Sequence, residues 1–126
     1  MKVIIAGGRE ITDYRMVTEA MEMADLMFGI APTEIVSGKA RGVDLLGERW
    51  AAEHKLPVAD FPAQWRGQDG TYYPKAGHAR NTDMAAYADA LVAVWDGYST
   101  GTADMIKNAR RMGLLVWVHN FKYPKP

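Results

Sequence analysis

An α/β domain with a mostly parallel sheet of strand order 3-2-1-4-5 is the fold this sequence predicts, and three observations predict it. Apolar runs of strand length alternate with segments of helical period along the chain. The runs at Lys2–Ala6 and Leu91–Trp95 lack the polar alternation of a half-exposed strand, so they read as strands covered on both faces. Glycine-containing loops follow three of the runs, at Ala6-Gly7-Gly8-Arg9, at Val36–Asp44 and at Asp96–Thr102.

Each element has its own justification. Lys2–Ala6 is the first strand. A helix then runs from Asp13 to about Phe28, with Thr12 or Asp13 as its cap because a short oxygen-bearing side chain satisfies a free amide of the first turn. Gly29 and Pro32 stop it. Glu34–Ser37 is the second strand, Val43–Lys55 the second helix and Pro57–Phe61 the third strand. Pro62–Pro74 is rich in Gln, Trp, Arg, Gly and Tyr, too polar for a strand, and broken by Gly67 and Gly70, so it reads as a long surface loop. Lys75–Tyr87 is a helix, Leu91–Trp95 the fourth strand, Gly101–Met112 a helix ended by Gly113, and Leu114–His119 the fifth strand. In the predicted order the chain reverses direction between strands one and four, which leaves a crevice at their carboxyl ends where open α/β sheets bind ligands.

Composition narrows the function. A chain of 126 residues fits one domain, residues 1–126, large enough to bury its own core. Its 15 basic and 15 acidic side chains cancel, so no global field recruits nucleic acid or an anionic membrane, although local basic patches stay open. Cysteine is absent, which excludes disulfides, thiolate nucleophiles and Cys-ligated metal, and fits a reducing compartment. Val3–Ala6 is too short for a signal-peptide core, and no run approaches the roughly 18 apolar residues that span a bilayer. A soluble, cytoplasmic protein with no membrane partner is expected.

The glycine loops carry the chemistry. In the loop after the second strand, Ser37 offers a hydroxyl, Gly38 and Gly42 let bare backbone approach a ligand, and Arg41 and Asp44 stand at the start of a helix whose amides point outward. Any one such loop is often only a tight connection. The predicted strand order brings it together with Gly7, Gly8 and Arg9 and with Asp96, Gly97, Ser99, Gly101 and Thr102, and that convergence points to a phosphate-bearing small molecule. Arg80 and Asn81 open the helix after the long loop and suit phosphate or ribose, against the plainer reading of Arg80 as a solvated side chain and Met84 as core. Asp96 ends a strand at the crevice and suits ribose hydroxyls, whereas Asp89 suits a turn, and Asp44 and Asp104 are ordinary dipole partners of first helical turns. Trp65, Tyr72 and Tyr73 offer stacking for a base, with Arg66 or Lys75 nearby, or they pack the loop onto the domain. His54, His78 and His119 have no metal-ligand spacing and read as surface or packed histidines. A magnesium ion held by phosphate and Asp96 is compatible with these loops but not required, so no cofactor is expected beyond a nucleotide ligand.

These motifs resemble the SLOG superfamily, the Rossmann-like group that joins the DNA-processing protein DprA (Smf) and the LONELY GUY phosphoribohydrolases, and most closely its small YspA-like branch. Ser37-Gly38-Lys39-Ala40-Arg41-Gly42-Val43-Asp44 resembles the DprA signature Ser-Gly-x-Ala-Arg-Gly-Ile-Asp. His78-Ala79-Arg80-Asn81-Thr82-Asp83-Met84 resembles the LONELY GUY pattern His-x-Arg-Lys-x-x-Met, and its Arg80-Asn81 pair is similar to the Arg-Asn of DprA. Gly101-Thr102 falls at the end of the family's Pro-Gly-Gly-x-Gly-Thr-x-x-Glu loop, and the resemblance runs from Val3 to Val118. It implies a Rossmann-like three-layer fold, and a role in nucleotide signalling or conflict, including phage and defence settings.

The departures from the pattern separate enzyme from binder. The resemblance assigns N-glycosidic cleavage of nucleoside monophosphates to the motif arginine, matched by Arg80, and to a glutamate whose position is Met105 here. Asp104 is adjacent but about 100 degrees round the helix, and Tyr98-Ser99 replace the preceding glycine pair. The resulting expectation is a protein that binds a nucleotide or nucleotide derivative, with ADP-ribose and NAD relatives in range, as a sensor or sequestering protein. Its rivals are a hydrolase using Arg80 with Asp44, Asp96 or Asp104, and a DprA-like DNA-processing protein in which Arg41, Arg66, Lys75 and Arg80 form one surface. Four tryptophans and the resemblance to dimeric relatives leave a homo-oligomer open.

Overall fold

The structure, a computed structural model, describes residues 1–121. Five strands, β1 (Lys2–Gly7), β2 (Glu34–Ser37), β3 (Val58–Asp60), β4 (Ala90–Trp95) and β5 (Leu115–Asn120), form one sheet in the order β3-β2-β1-β4-β5. All four pairings are parallel, with Ile4 opposite Val36 on one side and Leu91 on the other. Four helices connect them: α1 (Tyr14–Phe28), α2 (Val43–Glu53), α3 (Ala76–Tyr87) and α4 (Thr100–Arg111). The boundaries lie within about two residues of those read from the sequence. The second helix ends before Lys55 because that residue turns into the left-handed region at φ 57°, where a helix cannot continue.

The alternation of side chains along each strand sorts the core into two layers. Val3, Ile5, Ile35, Val92 and Val94 point to one face and pack on Val17, Ala20, Met21 and Ala24 of α1 and Val43 and Ala51 of α2. Ile4, Ala6, Val36, Leu91 and Ala93 point to the other and pack on Met84 and Ala85 of α3 and Met105, Ile106 and Ala109 of α4. Helices on both faces explain why β1 and β4 are apolar without alternation. Asp13 caps α1 by accepting the amide of Arg15 at 3.0 Å.

The segment between β3 and α3 is more ordered than a simple loop. Arg66 and Tyr72 form an isolated antiparallel bridge, the Gly67 amide donates to the Thr71 carbonyl at 2.9 Å, and the Tyr73 amide donates to the Trp65 carbonyl at 2.7 Å. Trp65 and Tyr72 lie nearly parallel, with ring centroids 6.3 Å apart. This short hairpin-like excursion places Trp65 over the carboxyl ends of the strands. Among the described residues no helix is long and apolar enough to cross a membrane.

Candidate functional site

The cavity sits where the chain reverses between β1 and β4 and encloses about 520 Å³. Gly7 and Gly8 at the end of β1, Arg9 after them, Asp44 of α2, Arg80 and Asn81 of α3, and Asp96, Ser99, Thr100, Gly101, Thr102 and Met105 from the end of β4 into α4 line it. Trp65, from the segment between β3 and α3, and His78 of α3 line it as well. A second concavity of about 370 Å³ shares Arg9, Ala40, Trp65 and Arg80 with it and adds Gly38, Lys39 and Arg41.

Backbone geometry brings the loops together. The Val43 amide, first in α2, donates to the Gly8 carbonyl at 3.2 Å, so the loop after β2 is tied to the loop after β1. Gly42 makes that approach with φ 80° and ψ −130°, a region that residues with a side chain avoid. Across the crevice, Asp96 Oδ1 accepts the amides of Tyr98 (2.8 Å) and Ser99 (2.9 Å), which folds the loop so that α4 begins at the cavity wall.

Arg80 is the central cation. Its Nη1 donates to the Gly38 carbonyl, its Nε donates to Asn81 Oδ1 at 3.1 Å, and Asp44 and Arg9 are both close enough to act on its charge. Burial, partly offset by Asp44, lowers the pKa of Arg80 from its ordinary value without removing its charge. Asp44 is only 6% exposed, and desolvation pushes its carboxyl up to about 6, against the Ala40 amide and the charges of Arg80 and Arg9, which hold it down.

That shift fixes a pH dependence. The folded pKa of Asp44 lies above its unfolded value near 3.8, so the native state binds the extra proton and its stability falls as pH rises from about 4 to above 6. The difference corresponds to about 3 kcal/mol by pH 7. Urea titrations of the wild type and Asp44→Asn between pH 4 and pH 8 are expected to show the wild type losing ground to the variant across that window. Parallel profiles would contradict the assignment.

The structure does not bring every residue singled out in the sequence to the cavity. Ser37 is buried behind the loop: its hydroxyl donates to Glu48 Oε2 at 2.7 Å and accepts the Lys39 amide at 3.1 Å, so it supports the loop. Arg41 pairs with Glu10 and lines the second concavity, as does Gly38, while Gly42 and Gly97 line neither. Ser99 Oγ and Thr102 Oγ1 are 3.3 Å apart at the start of α4. Arg66 donates to the Gly70 carbonyl within the hairpin and lines neither concavity. His78, which the sequence offers only as a surface or packed histidine, has its Nδ1 3.0 Å from Asp104 Oδ2. Only the packing of α3 against α4 joins that pair. Among the described residues no three His, Asp or Glu side chains cluster as metal ligands.

The sequence matches the YspA, cpYpsA-related SLOG family (YAcAr) over residues 1–67. It is also 32% identical over 127 aligned positions to the Gene 61 protein of Mycobacterium phage D29, covering 91% of this chain and 93% of that protein. The chain belongs to the YspA, cpYpsA-related SLOG family. Among solved structures, this SLOG chain superposes on DNA processing protein A (DprA) from Streptococcus pneumoniae with a TM-score of 0.65 at 18% identity. That match covers 93% of this chain and 49% of the DprA chain. DprA from Helicobacter pylori, described with a single-stranded DNA binding mode, superposes with a TM-score of 0.59 at 21% identity, covering 94% of this chain and 64% of that one. The SLOG chain thus spans about half to two thirds of each DprA chain, and the likeness establishes the shared fold.

Proposed function

We propose that this SLOG protein binds a nucleotide or nucleotide-derived ligand in the crevice at the carboxyl ends of its strands, as a sensor or a sequestering protein. One observation carries the reading: Arg9 and Arg80 line the same cavity as the first turn of α4, so two guanidiniums and a helix amino end converge on one space. The cavity's carboxylates do not cancel this preference. Glu10 is paired with Arg41, Asp96 is engaged by the amides of its own loop, and Asp44 is poised to take up a proton as an anion arrives. Phosphate sits against Arg9, Arg80 and the Gly101 and Thr102 amides in this reading, with ribose toward Asn81 and Asp96.

Trp65 supplies the base platform. Removing a stacked base partner costs about 1–3 kcal/mol, so Trp65→Ala is expected to weaken binding of AMP, ADP-ribose or NAD by about 5- to 150-fold. Inorganic phosphate, which has no base, should bind the variant as it binds the wild type. Calorimetry with both ligands tests this, and an equal loss for both would remove Trp65 from the base site.

A DprA-like role in binding single-stranded DNA is the second reading, favoured by the junction of the two concavities, which sets Lys39 and Arg41 beside Arg9 and Arg80. Titration with a short oligonucleotide at two salt concentrations tests it, because each phosphate contact contributes to the slope of affinity against salt. A ligand held as a single nucleotide shows a shallow slope.

A further inference from the structure

We propose that the cavity also cleaves its ligand, with His78 as the general base of a hydrolysis at phosphorus and Asp104 as the residue that positions it. The proposal rests on nucleotide binding in this cavity and extends it from holding to turnover. His78 lines the cavity with its side chain 60% exposed, whereas the Asp104 side chain is 20% exposed, and the two meet at 3.0 Å through Nδ1 and Oδ2. Asp104 Oδ2 is itself held by Asn81 Nδ2 at 3.0 Å and Asn108 Nδ2 at 3.2 Å, so the carboxylate is fixed from both α3 and α4. A carboxylate that holds Nδ1 sets the ring's orientation and tautomer and leaves Nε2 to handle a proton.

A histidine bonded to an aspartate between two helices is often a clamp. Its surroundings here point to chemistry. Arg80 lies two residues along α3 from His78, and both line the cavity with Arg9 and the first turn of α4. These cationic groups stabilise the negative charge that builds on phosphoryl oxygens in a displacement at phosphorus. They do not stabilise the cation that develops at a sugar carbon when an N-glycosidic bond breaks. The carboxylates that line the cavity are already engaged, Asp44 by the Ala40 amide, Asp96 by the amides of Tyr98 and Ser99 and Glu10 by Arg41, and Met105 beside them is buried and uncharged. The substrate class is therefore a nucleoside phosphoanhydride or phosphodiester.

The step balances with water as the only co-reactant. Nε2 of His78 takes a proton from water as the water oxygen bonds to phosphorus. The bond from phosphorus to the bridging oxygen breaks, its electron pair stays on that oxygen, and the imidazolium returns the proton there. Nothing is oxidised or reduced, and a diphosphate-bridged nucleotide yields two phosphate monoesters.

The test incubates the full chain with NAD, ADP-ribose or a thymidine dinucleotide in ¹⁸O-water and identifies the products by chromatography and mass spectrometry, with binding measured separately by calorimetry. The expected result with NAD is AMP and nicotinamide mononucleotide carrying one ¹⁸O between them; cleavage of the dinucleotide instead assigns the diester. His78→Gln should slow turnover by about 100-fold or more while affinity stays within about threefold. Asp104→Asn should lower kcat about tenfold and leave KM nearly unchanged. Nicotinamide release, turnover unchanged in His78→Gln, or a raised KM with kcat unchanged in Asp104→Asn overturns the proposal. Ligands bound but intact overturn cleavage alone, and ligands neither bound nor cleaved overturn the binding reading with it.

Discussion

Replacing Gly42 with alanine is expected to destabilise the protein by about 3–5 kcal/mol, from backbone strain added to overpacking, and to lower Tm by more than about 10 °C. The residue sits at φ 80°, and a Cβ there would meet the Gly8 carbonyl oxygen and lie 2.7 Å from the Arg9 Cα. Both obstacles are backbone, so neither can swing aside. The collision would push the loop after β1 away from the start of α2, opposing the Val43-to-Gly8 hydrogen bond that joins two walls of the cavity. Gly101→Ala provides the control, since a Cβ there meets nothing within 4 Å. Thermal and urea unfolding of the two variants side by side should separate them clearly, and equal stabilities would show that the loop junction is softer than its geometry implies.

Gly38→Ala is expected to do the reverse, sparing the fold and damaging the site. Its Cβ would lie 2.5 Å from Arg80 Nη1 and 2.7 Å from Asp44 Oδ2, the movable ends of two side chains. The guanidinium must leave the Gly38 carbonyl and turn, at a stability cost of about 1 kcal/mol, within the usual range for a point substitution. Arg80→Ala removes the same group outright. With charge-assisted hydrogen bonds worth about 2 kcal/mol each, both variants should bind a nucleotide at least about 30-fold more weakly than the wild type. Gly38→Ala retaining full affinity would mean that the ligand does not depend on the Arg80 position seen here.

Most of the fold was legible because its determinants are local. Strands buried on both faces announce themselves as Val3–Ala6 and Leu91–Val94, and Asp13, Gly29 and Gly113 mark helix ends by their backbone chemistry. The convergence of the three glycine loops was legible at one remove, since strand order decides which loops are neighbours. What sequence could not supply was the direction of individual side chains. Ser37 turns inward to Glu48, eleven positions later on α2, instead of out to the crevice. His78 and Asp104 stand 26 positions apart, and only the contact of α3 with α4 makes them a pair. Trp65 lay in a stretch with no periodicity, so its place over the cavity depends on a hairpin bridge that no pattern revealed.

In the proposed complex a phosphate-bearing nucleotide is held between Arg9, Arg80, the start of α4 and Trp65. Isothermal titration of the wild type and Arg80→Ala with AMP, ADP-ribose and NAD, with both proteins first shown to be equally folded, tests it most directly. Saturable binding of at least one of these ligands by the wild type is expected, weakened about 30-fold or more in the variant, the equivalent of about 2 kcal/mol. Equal affinity in the two proteins, or no binding by the wild type, would contradict it.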